Sequence, residues 1–301
     1  MTTPLVSVLI TSYNREKYIA EAIESVLAST FKDFELIIVD DCSKDRTVEI
    51  ARRYLSDPRV QIHVNEKNLG QFQNRNRAAS LAVGKYLKYL DSDDLIYPHG
   101  LEVMVRYMEQ FPEAGLGVSE EFHYDRIHPK LFSSREAWRQ GLFGGGVIGK
   151  GPTSIIIRRE AFEQNGGFHH FNTASDDVYF QFELAARWPV VAFQSGLNFY
   201  RVHGDGQACK EQTPELNMLH NVKYMPELMQ SNECPLTSEE RDLAYSNLMA
   251  GFTRLCVRHV LRGRLLRAWG LWRTAKRPWS DWRFVTRRLS LPCKPKLYWE
   301  I

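Results

Sequence analysis

Three carboxylates stand within four residues at the end of a short apolar run. The run, Tyr86 to Leu90, is followed by Asp91, Ser92, Asp93 and Asp94. Clustered aspartate oxygens suit a hard divalent cation that keeps some of its water and bridges the phosphates of a substrate. Acidic turns after strands are common, so this Asp-x-Asp motif predicts a metal site only where its surroundings support that chemistry.

Two further strands are predicted upstream, and each also ends in polar residues. Leu5 to Thr11 is rich in β-branched residues and runs into Ser12-Tyr13-Asn14, and Phe34 to Val39 runs into Asp40 and Asp41. The carboxyl ends of parallel strands lie on one edge of a sheet, which is where open α/β sheets bind their ligands. We therefore expect the three polar clusters to converge in one crevice.

The alternation of predicted strands and helices indicates the fold class. Four strands and three intervening helices are predicted over about ninety residues, a pattern that is typical of a parallel sheet with helices on both faces. We therefore expect an α/β fold with a mainly parallel, Rossmann-like sheet flanked by helices. The predicted strands are Leu5–Thr11, Phe34–Val39, Arg59–Val64 and Tyr86–Leu90, and the predicted helices are Glu16–Ser29, Ser43 or Asp45 to Tyr54, and Gln71–Val83.

The segment after the acidic motif has a weaker pattern. Residues 128–151 are Gly-rich without a clear period, which predicts a mobile surface loop that can serve as a lid. Asp176 and Asp177 open a helix predicted from Val178 to Arg187. Acidic residues at a helix start also suit its dipole, so a purely structural role for this pair stays open. Helices are predicted over Pro98–Phe111 and Arg159–Gln164, and strands over Gly115–His123 and Ser154–Ile157.

Two glycine motifs that bind nucleotide phosphates are absent from the sequence. No Gly-x-Gly-x-x-Gly follows the first predicted strand, and the chain contains no Gly-x-x-x-x-Gly-Lys-Ser/Thr. A dinucleotide-binding Rossmann site and a P-loop therefore lose their main support. The phosphates of any bound nucleotide must be neutralised in another way, and a metal ion on Asp93 would do so.

Composition excludes several classes of protein. Of the 301 residues, 44% are hydrophobic and 25% are charged, as in ordinary globular domains. The five Cys are widely spaced without a Cys-x-x-Cys pair, so neither disulfides nor zinc is expected and a cytoplasmic location is favoured. The N-terminus lacks a basic region, and no apolar run reaches about 18 residues, so we expect neither a signal peptide nor a transmembrane helix.

Charge is distributed unevenly along the chain. Residues 254–301 contain 13 Lys and Arg against two acidic residues, a charge of +11, which leaves −8 for the rest because the whole chain carries +3. Helices are predicted around Pro214–Gln230, Ser238–Arg262 and Arg264–Lys276.

The basic tail also has an apolar stripe. Apolar residues near helical spacing alternate with arginines, which predicts that residues 254–288 lie on an anionic membrane surface. The alternative is that the stripe packs on the catalytic domain and the arginines are merely solvated. Nucleic acid is not an expected partner, because no known binding module is recognisable. The stripe consists of Leu261, Leu265, Leu266, Trp269 and Trp272, flanked by Arg262, Arg264, Arg267 and Arg273.

Several motifs follow one another in the order and spacing of a known family. They are Val39-Asp40-Asp41-Cys42-Ser43-Lys44-Asp45-Arg46-Thr47, Asn68-x-Gly70 with Arg75-Asn76 and Ala78, Gly84-Lys85-Tyr86, Leu90-Asp91-Ser92-Asp93-Asp94, and Gly166-Gly167-Phe168. From Pro4 to Gly206 the sequence resembles the family 2 glycosyltransferases, inverting enzymes with the GT-A fold. The resemblance implies a GT-A domain over 1–212, with a nucleotide-sugar half (1–97) and an acceptor half (98–212). A basic helical extension then covers 213–301.

The resemblance implies an activity and a cofactor. A sugar would pass from a nucleotide-sugar, expected to be a UDP-sugar, to an acceptor hydroxyl in bacterial polysaccharide, lipopolysaccharide or glycolipid synthesis. Mn²⁺ or Mg²⁺ would stabilise the leaving diphosphate, with Asp93 and Asp91 as its expected ligands. His203 matches a histidine that is often found near the end of the family's catalytic domain, and it is a third candidate ligand.

The resemblance also implies which residues bind the donor. Asp40 or Asp41 is expected to contact the uracil base and Arg75 the nucleotide, although a surface ion pair is the alternative role of Arg75. The full set of expected donor-binding residues is Thr11, Tyr13, Asp40, Asp41, Arg75, Asp91 and Ser92.

Inverting transfer further needs a base that takes the proton of the acceptor hydroxyl. The family often has Glu-Asp before its last helix, where this sequence has Asp176 and Asp177. Counting back from Leu184-Ala185 aligns Asp177 with the family's catalytic aspartate. Asp177 is therefore the expected base, and Asp176 is the alternative.

Two other classes of protein remain as alternatives. A sugar-phosphate nucleotidyltransferase would carry a Gly-rich loop with Arg after the first strand, but Ser12-Tyr13-Asn14-Arg15 contains no Gly. A non-catalytic carbohydrate-binding protein would not need both Asp93 and Asp177. The donor sugar, the acceptor and the oligomeric state are not predicted from the sequence.

Overall fold

The computed structural model describes residues 3–120, 127–144, 146–169, 176–204 and 213–276. These residues fold into two compact units. The first unit contains the described residues up to Ala137, from Val147 to residue 169 and from Asp176 to Val202. The second contains the described residues from Trp138 to 146 and from His203 onward. The expected domain limit after residue 212 adjoins residues outside the described ranges, so it stays a prediction.

The first unit is built on an eight-stranded sheet. The described strands are β1 (Val6–Ser12), β2 (Phe34–Asp40), β3 (Val60–Val64), β4 (Tyr86–Asp91), β5 (Leu95–Ile96), β6 (Leu116–Ser119), β7 (Lys130–Phe132), β8 (Ile155–Arg158), β9 (Val190–Phe193) and β10 (Asn198–Phe199). The order of strands in the sheet is β3-β2-β1-β4-β8-β6-β9-β7. The two remaining strands, β5 and β10, form a separate antiparallel pair. The strands β3, β2, β1 and β4 are parallel, whereas β8 runs antiparallel to β4 and β6. The predicted α/β fold with a mainly parallel sheet is confirmed.

Helices connect the strands of this sheet. They are α1 (Ile19–Leu27), α2 (Thr47–Arg52), α3 (Gln71–Leu81), α4 (Gly100–Gln110), α5 (Ser134–Phe143), α6 (Arg159–Asn165) and α7 (Asp176–Arg187). The predicted helices over six of these segments are confirmed, with ends that differ by a few residues, whereas α5 lies in a segment for which no helix was predicted. Gly166 ends α6 in the left-handed conformation, with φ of 78°, as a helix-terminating glycine does.

The central strands are buried because helices cover both faces of the sheet. Every residue of β2 is buried, including Glu35, whose carboxylate accepts a hydrogen bond from the Ser7 hydroxyl (2.6 Å). The Ser7 oxygen in turn accepts the backbone N–H of Gly84 (2.9 Å). A Cβ atom on Gly84 would lie 2.6 Å from the Ser7 nitrogen, so only glycine fits this approach. This contact aligns the amino ends of β1, β2 and β4.

The predicted loop over residues 128–151 is wrong. Lys130–Phe132 forms β7, which pairs antiparallel with β9, and Ser134–Phe143 forms α5. The Glu136 carboxylate accepts the N–H of Ser133 (2.9 Å), and the Glu136 N–H donates to the Ser133 hydroxyl (3.4 Å), which is a capping box. The Ser-x-x-Glu signal stands in the sequence, but the glycines that follow the helix obscured it. The strand predicted over Gly115–His123 is confirmed for Leu116–Ser119, and residues 121–126 lie outside the described ranges.

The second unit is helical. Besides Trp138–Phe143 of α5 it contains α8 (Pro214–Gln230), α9 (Ser238–Leu261) and α10 (Leu265–Ala275), and these three lie close to the predicted bounds. A capping box of Thr237 and Glu240 begins α9. The buried apolar core of this unit consists of Val222, Met249, Ala250, Phe252, Cys256, Trp272 and Ala275. No helix in the part of the chain that the structure describes combines the length and apolar character needed to cross a bilayer.

Candidate active site

Three strands of the first unit end side by side. In the register of the sheet, Thr11 of β1 lies opposite Val39 of β2 and Asp91 of β4, and Ser12 lies opposite Asp40. The polar residues after these strands therefore meet at one edge, as the sequence predicted. We call the five carboxylates there the acidic sheet edge: Asp40, Asp41, Asp91, Asp93 and Asp94.

Asp40 joins the end of β1 to the turn after β2. Its Oδ2 atom accepts hydrogen bonds from the hydroxyls of Ser12 (2.9 Å) and Ser43 (2.6 Å), and its Oδ1 atom accepts the Ser43 N–H (2.7 Å). A buried carboxylate needs such donors, because a charge without partners is costly away from water. Asp40 thus fixes the two strand ends relative to each other.

Asp41 fixes the loop that leads into α3. Its carboxylate accepts the N–H groups of Leu69 (2.7 Å) and Gly70 (2.9 Å) and the side-chain amide of Asn65 (2.7 Å). Gly70 has a φ of 86°, which glycine adopts without strain. Asp41 therefore sets the start of the helix that carries Arg75. The expected contact of Asp40 or Asp41 with a uracil base stays a prediction.

Arg75 is buried beside the acidic sheet edge and is paired with Asp91. Its Nη2 atom lies 2.7 Å from Oδ1 of Asp91, and its guanidinium stands 5.2 Å from the centre of the Phe72 ring. Burial by itself would lower the pKa of Arg75, but the negative charges of Asp91 and Asp177 outweigh this effect and raise the pKa. Arg75 is therefore a fixed cation inside the crevice and not a surface ion pair.

Asp177 lies in the first turn of α7, close enough to Arg75 and Asp91 to interact electrostatically with both. Burial raises the pKa of Asp177 to about 6; the charge of Arg75 opposes this increase and that of Asp91 adds to it. Such a carboxylate is mostly ionised at neutral pH and still basic enough to take a proton. Asp176, the alternative base, precedes it and is 1% exposed. The structure thus brings Asp177 together with two of the predicted donor-site residues.

Asn76 links α3 to the segment that precedes α7. Its side-chain amide donates to the carbonyl of Phe168 (2.9 Å), and its side-chain oxygen accepts the N–H of Phe168 (2.9 Å). A Cβ atom on Gly167, which has a φ of 79°, would lie 2.7 Å from the same oxygen. This close approach explains the glycine before Phe168. Two consecutive residues of α3 therefore contact two different parts of the site: Arg75 contacts Asp91, and Asn76 contacts Phe168.

Two arginines that were not predicted as site residues contact the turn after β4. The Nε atom of Arg15 lies 3.0 Å from Oδ2 of Asp93, and the Nε atom of Arg201 donates to the Asp93 carbonyl (3.0 Å). Arg201 also pairs with Glu21 at 2.6 Å. Both arginines lie next to residues that the sequence analysis singled out. Arg15 directly follows Ser12-Tyr13-Asn14, and Arg201 lies two residues before His203. Their long side chains reach a place that sequence spacing does not reveal.

A network of buried hydrogen bonds holds the turn after β4 in place. The Thr153 hydroxyl donates to the Asp94 carboxylate (2.6 Å) and accepts the N–H of Asp91 (3.1 Å), and the Arg201 N–H donates to Asp94 (2.9 Å). The ammonium of Lys88, which has no exposed surface, donates to the carbonyls of Tyr89 and Thr153. Burial lowers the pKa of Lys88 to about 7 and raises that of Asp94 to about 7. The sequence alone marks Lys88 as unusual, because it is a charged residue within an apolar strand. No feature of the sequence marks Thr153.

The acidic sheet edge has the ligand chemistry for a divalent cation that binds together with a diphosphate. Among the described residues, no group of three or more His, Cys, Asp or Glu is arranged to hold a metal. One or two carboxylates suffice, however, where substrate phosphates complete the coordination. The side chains of Asp91 and Asp93 keep 26% and 17% exposure, so a cation can reach them. Asp91 and Asp93 thus fit this kind of site.

Other predicted site residues are placed as follows. Thr11 is partly exposed at the sheet edge, Tyr13 is 43% exposed and Ser92 is 4% exposed. His203 belongs to the second unit. The donor-binding roles of the first three and the metal-binding role of His203 stay predictions.

Comparison with known proteins identifies the family. Residues 7–166 match the family described as Glycosyl transferase family 2. The chain belongs to this family. A curated family relative from Haemophilus influenzae, named an uncharacterized glycosyltransferase, is 37% identical over 218 residues, which is 67% of each chain. The putative teichuronic acid biosynthesis glycosyltransferase TuaG of Bacillus subtilis is 42% identical over 106 residues, 35% of this chain and 42% of TuaG.

Solved structures of glycosyltransferases share the fold. The chain is similar to Staphylococcus aureus TarS 1–349 in complex with UDP-GlcNAc, with a TM-score of 0.64 and 20% identity over 81% of this chain and 71% of TarS 1–349. It is also similar to the mannosyltransferase PcManGT of Pyrobaculum calidifontis in complex with GDP-Man and Mn²⁺, with a TM-score of 0.59 and 16% identity over 91% and 86% of the two chains. The predicted GT-A fold is thereby confirmed.

The extent of these matches differs between relatives. The chain covers only 23% to 45% of the length of four further curated glycosyltransferases of 37% to 45% identity. Family and fold are therefore established for this chain, and its reaction is a matter for proposal.

Proposed function

We propose that this protein transfers a sugar from a nucleotide-sugar to an acceptor hydroxyl with inversion at the anomeric carbon. The observation that supports this proposal is the convergence of Asp177, Arg75 and Asp91 in one crevice. A basic carboxylate on one side and a cation with a metal-compatible carboxylate on the other are what a displacement at a sugar phosphate requires. We infer a UDP-sugar as the donor, since TarS was crystallised with UDP-GlcNAc, although PcManGT binds GDP-Man.

Asp177 acts on the acceptor in this proposal. The acceptor oxygen forms a bond to the anomeric carbon while its proton passes to the Asp177 carboxylate. The bond between the anomeric carbon and the diphosphate oxygen breaks, and its electron pair leaves with the nucleoside diphosphate. A pKa of about 6 keeps Asp177 ready for this task at neutral pH. Partial enclosure of the carboxylate by protein limits competition from water.

Arg75 and Arg15 act on the donor. A guanidinium pairs with phosphate oxygens as well as with carboxylates. A bound diphosphate can therefore replace Asp91 and Asp93 as the partner of the two arginines. The two carboxylates are then available to bind a divalent cation. Mn²⁺ or Mg²⁺ held there would neutralise the charge that develops on the leaving diphosphate. Thr153 holds the turn in place through Asp91 and Asp94, and Lys88 supports Thr153 by donating to its carbonyl.

The acceptor is proposed from the relatives. TuaG is named for teichuronic acid biosynthesis, which favours a bacterial envelope polysaccharide or glycolipid over a protein acceptor.

Release of UDP from a panel of UDP-sugars, with Mn²⁺, Mg²⁺ or chelator present, tests the proposal. We expect metal-dependent release with one or a few donors, and its loss in the Asp177→Asn variant when an acceptor is present. Release of pyrophosphate from UTP and a sugar 1-phosphate would instead indicate a nucleotidyltransferase. Donor binding without any turnover across acceptors would indicate a non-catalytic binding protein.

A further inference from the structure

The connection between α9 and α10 exposes leucines and arginines together. Residues 258–267, which we call the basic turn, include Leu261, Leu265 and Leu266, and these side chains are 82%, 62% and 88% exposed. Gly263, with a φ of 72°, reverses the chain between the two helices. Exposed apolar residues that stand singly are normal, but three at one turn mark a contact surface.

The charge around this turn has one sign. Residues 254–276 contain seven Lys and Arg and no acidic residue. Arg267 is paired with Glu215 of α8 at 2.6 Å, whereas Arg258, Arg262 and Arg264 are exposed. The turn therefore combines apolar side chains at its tip with several exposed positive charges beside them.

Packing inside the second unit explains one face of α10 but not this turn. Ala268, Trp272 and Ala275 are buried, and the Trp272 ring stacks on Phe252 with centroids 5.6 Å apart. The stripe predicted from the sequence is thus divided between two faces. Trp272 belongs to the core, and Leu261, Leu265 and Leu266 face solvent together with the 52% exposed Trp269.

We propose that the basic turn is a docking surface for an anionic lipid bilayer. The leucines at its tip enter the interface between headgroups and acyl chains, while the neighbouring arginines contact lipid phosphates. Nucleic acid would satisfy the arginines but offers no place for aliphatic leucines. A second copy of the chain would satisfy the leucines, but symmetric pairing would bring like charges together. This inference stands on the second unit alone and does not depend on the reaction of the first.

Sedimentation of the full chain with vesicles tests the proposal. Wild-type protein should pellet with phosphatidylglycerol-containing vesicles at low salt and bind phosphatidylcholine vesicles far less. Raising NaCl from about 0.05 M to about 0.3 M should weaken binding, because charges at a surface are screened. The double variant Arg262→Gln/Arg264→Gln should lower the partition coefficient about 25-fold.

The leucines separate a bilayer contact from mere attraction between charges. Leu265→Gln/Leu266→Gln should lower the partition coefficient at least about tenfold without changing net charge. Leu55→Gln, at a 50% exposed leucine of the first unit, is the matched control and should bind as wild type does. Circular dichroism and UDP release should be unchanged in all three variants, since every substituted side chain is exposed.

Four outcomes would overturn the proposal. Binding that is equal for neutral and anionic vesicles, or equal in wild type and both double variants, would remove the basic turn as a lipid contact. Tighter binding of a labelled RNA or DNA duplex than of vesicles would assign the arginines to nucleic acid. A wild-type dimer that the leucine variant converts to monomer would assign the leucines to a second copy.

Discussion

At the acidic sheet edge each of the five aspartates has a fixed partner, whereas the basic turn leaves Arg258, Arg262 and Arg264 exposed to solvent. Asp93, on the turn after β4, pairs with Arg15, and Asp91, at the end of β4, pairs with Arg75 of α3. The two regions hold charges of opposite sign and differ in how firmly each charge is positioned.

The difference indicates what each region can do. Charges held by rigid elements need no rearrangement when charge develops in a reaction, which is the basis of electrostatic catalysis. Charges on an exposed turn are screened by salt and bind a diffuse partner without strict geometry. Substitutions at the acidic sheet edge, and at Asp177, which interacts with Asp91 of that edge, should therefore change reaction rates by large factors.

Removal of the proposed base should have the largest effect. We expect Asp177→Asn to lower kcat about 10³-fold, because proton transfer to a positioned base contributes on that order. Affinity for UDP should stay within about threefold, since the base acts on the acceptor in the transition state. Steady-state kinetics and titration calorimetry with UDP provide the two measurements. Near-normal turnover in Asp177→Asn, with loss in Asp176→Asn, would move the base by one residue.

Loss of a metal-compatible carboxylate should come next. Asp93→Ala should weaken metal-dependent UDP binding on the order of 100-fold, since a cation supplies several kcal/mol of charge stabilisation. Calorimetry with and without Mn²⁺ measures this dependence directly. Thermal unfolding of the variant should remain cooperative, because Asp93 lies on a partly exposed turn. Mn²⁺-dependent UDP binding that survives in Asp93→Ala would refute the metal assignment.

The pH dependence of transfer should follow the carboxylate of Asp177. A base must be unprotonated, and the pKa of Asp177 is raised to about 6. We therefore expect kcat/KM to be constant well above that pH and to fall about tenfold per pH unit below it. The pKa of Asp94 is also raised, to about 7, so UDP affinity must be measured over the same range. If UDP affinity alone accounts for the fall, the acid limb belongs to the donor site.

The support beneath the turn should have the smallest effect. Thr153→Val removes the hydroxyl that joins the Asp91 N–H to the Asp94 carboxylate. Loss of such an outer contact typically costs about tenfold in metal affinity, so the Mn²⁺ concentration for half-maximal UDP binding should rise by that factor. Thr153→Ser retains the hydroxyl and should restore the wild-type value. A Ser variant as weak as the Val variant would assign Thr153 to packing.

The sheet edge could be predicted from the sequence because its positions follow from strand order. Once β1, β2 and β4 are predicted as parallel, the convergence of Asp40 and Asp91 follows from sheet geometry. The helical stripe of the tail was likewise visible from its period. Periodicity does not reveal which half of such a stripe is buried, and Trp272 was placed in the core only by its contact with Phe252.

Contacts made by long side chains could not be predicted in this way. Arg15 and Arg201 reach Asp93 from segments that are far away in the sequence, 78 and 108 residues distant. Thr153 stands before β8 with no local pattern that points to Asp91. The helix Ser134–Phe143 is a different case, because its capping box was present in the sequence and the glycines after it outweighed that signal.

Because two hydrogen bonds join Asn76 to Phe168, the backbone amide proton of Phe168 reports on the structure of the donor site. The Phe168 N–H exchanges with solvent only when it leaves the Asn76 oxygen, and Asn76 is the next residue after Arg75 in α3. Exchange of such a proton reports local opening of the surrounding structure. A nucleotide that immobilises Arg75 would slow exchange at Phe168 without touching it. Changes in the segment that leads to the proposed catalytic base, Asp177, could thus be followed in solution by the NMR resonance of a single backbone nitrogen, that of Phe168.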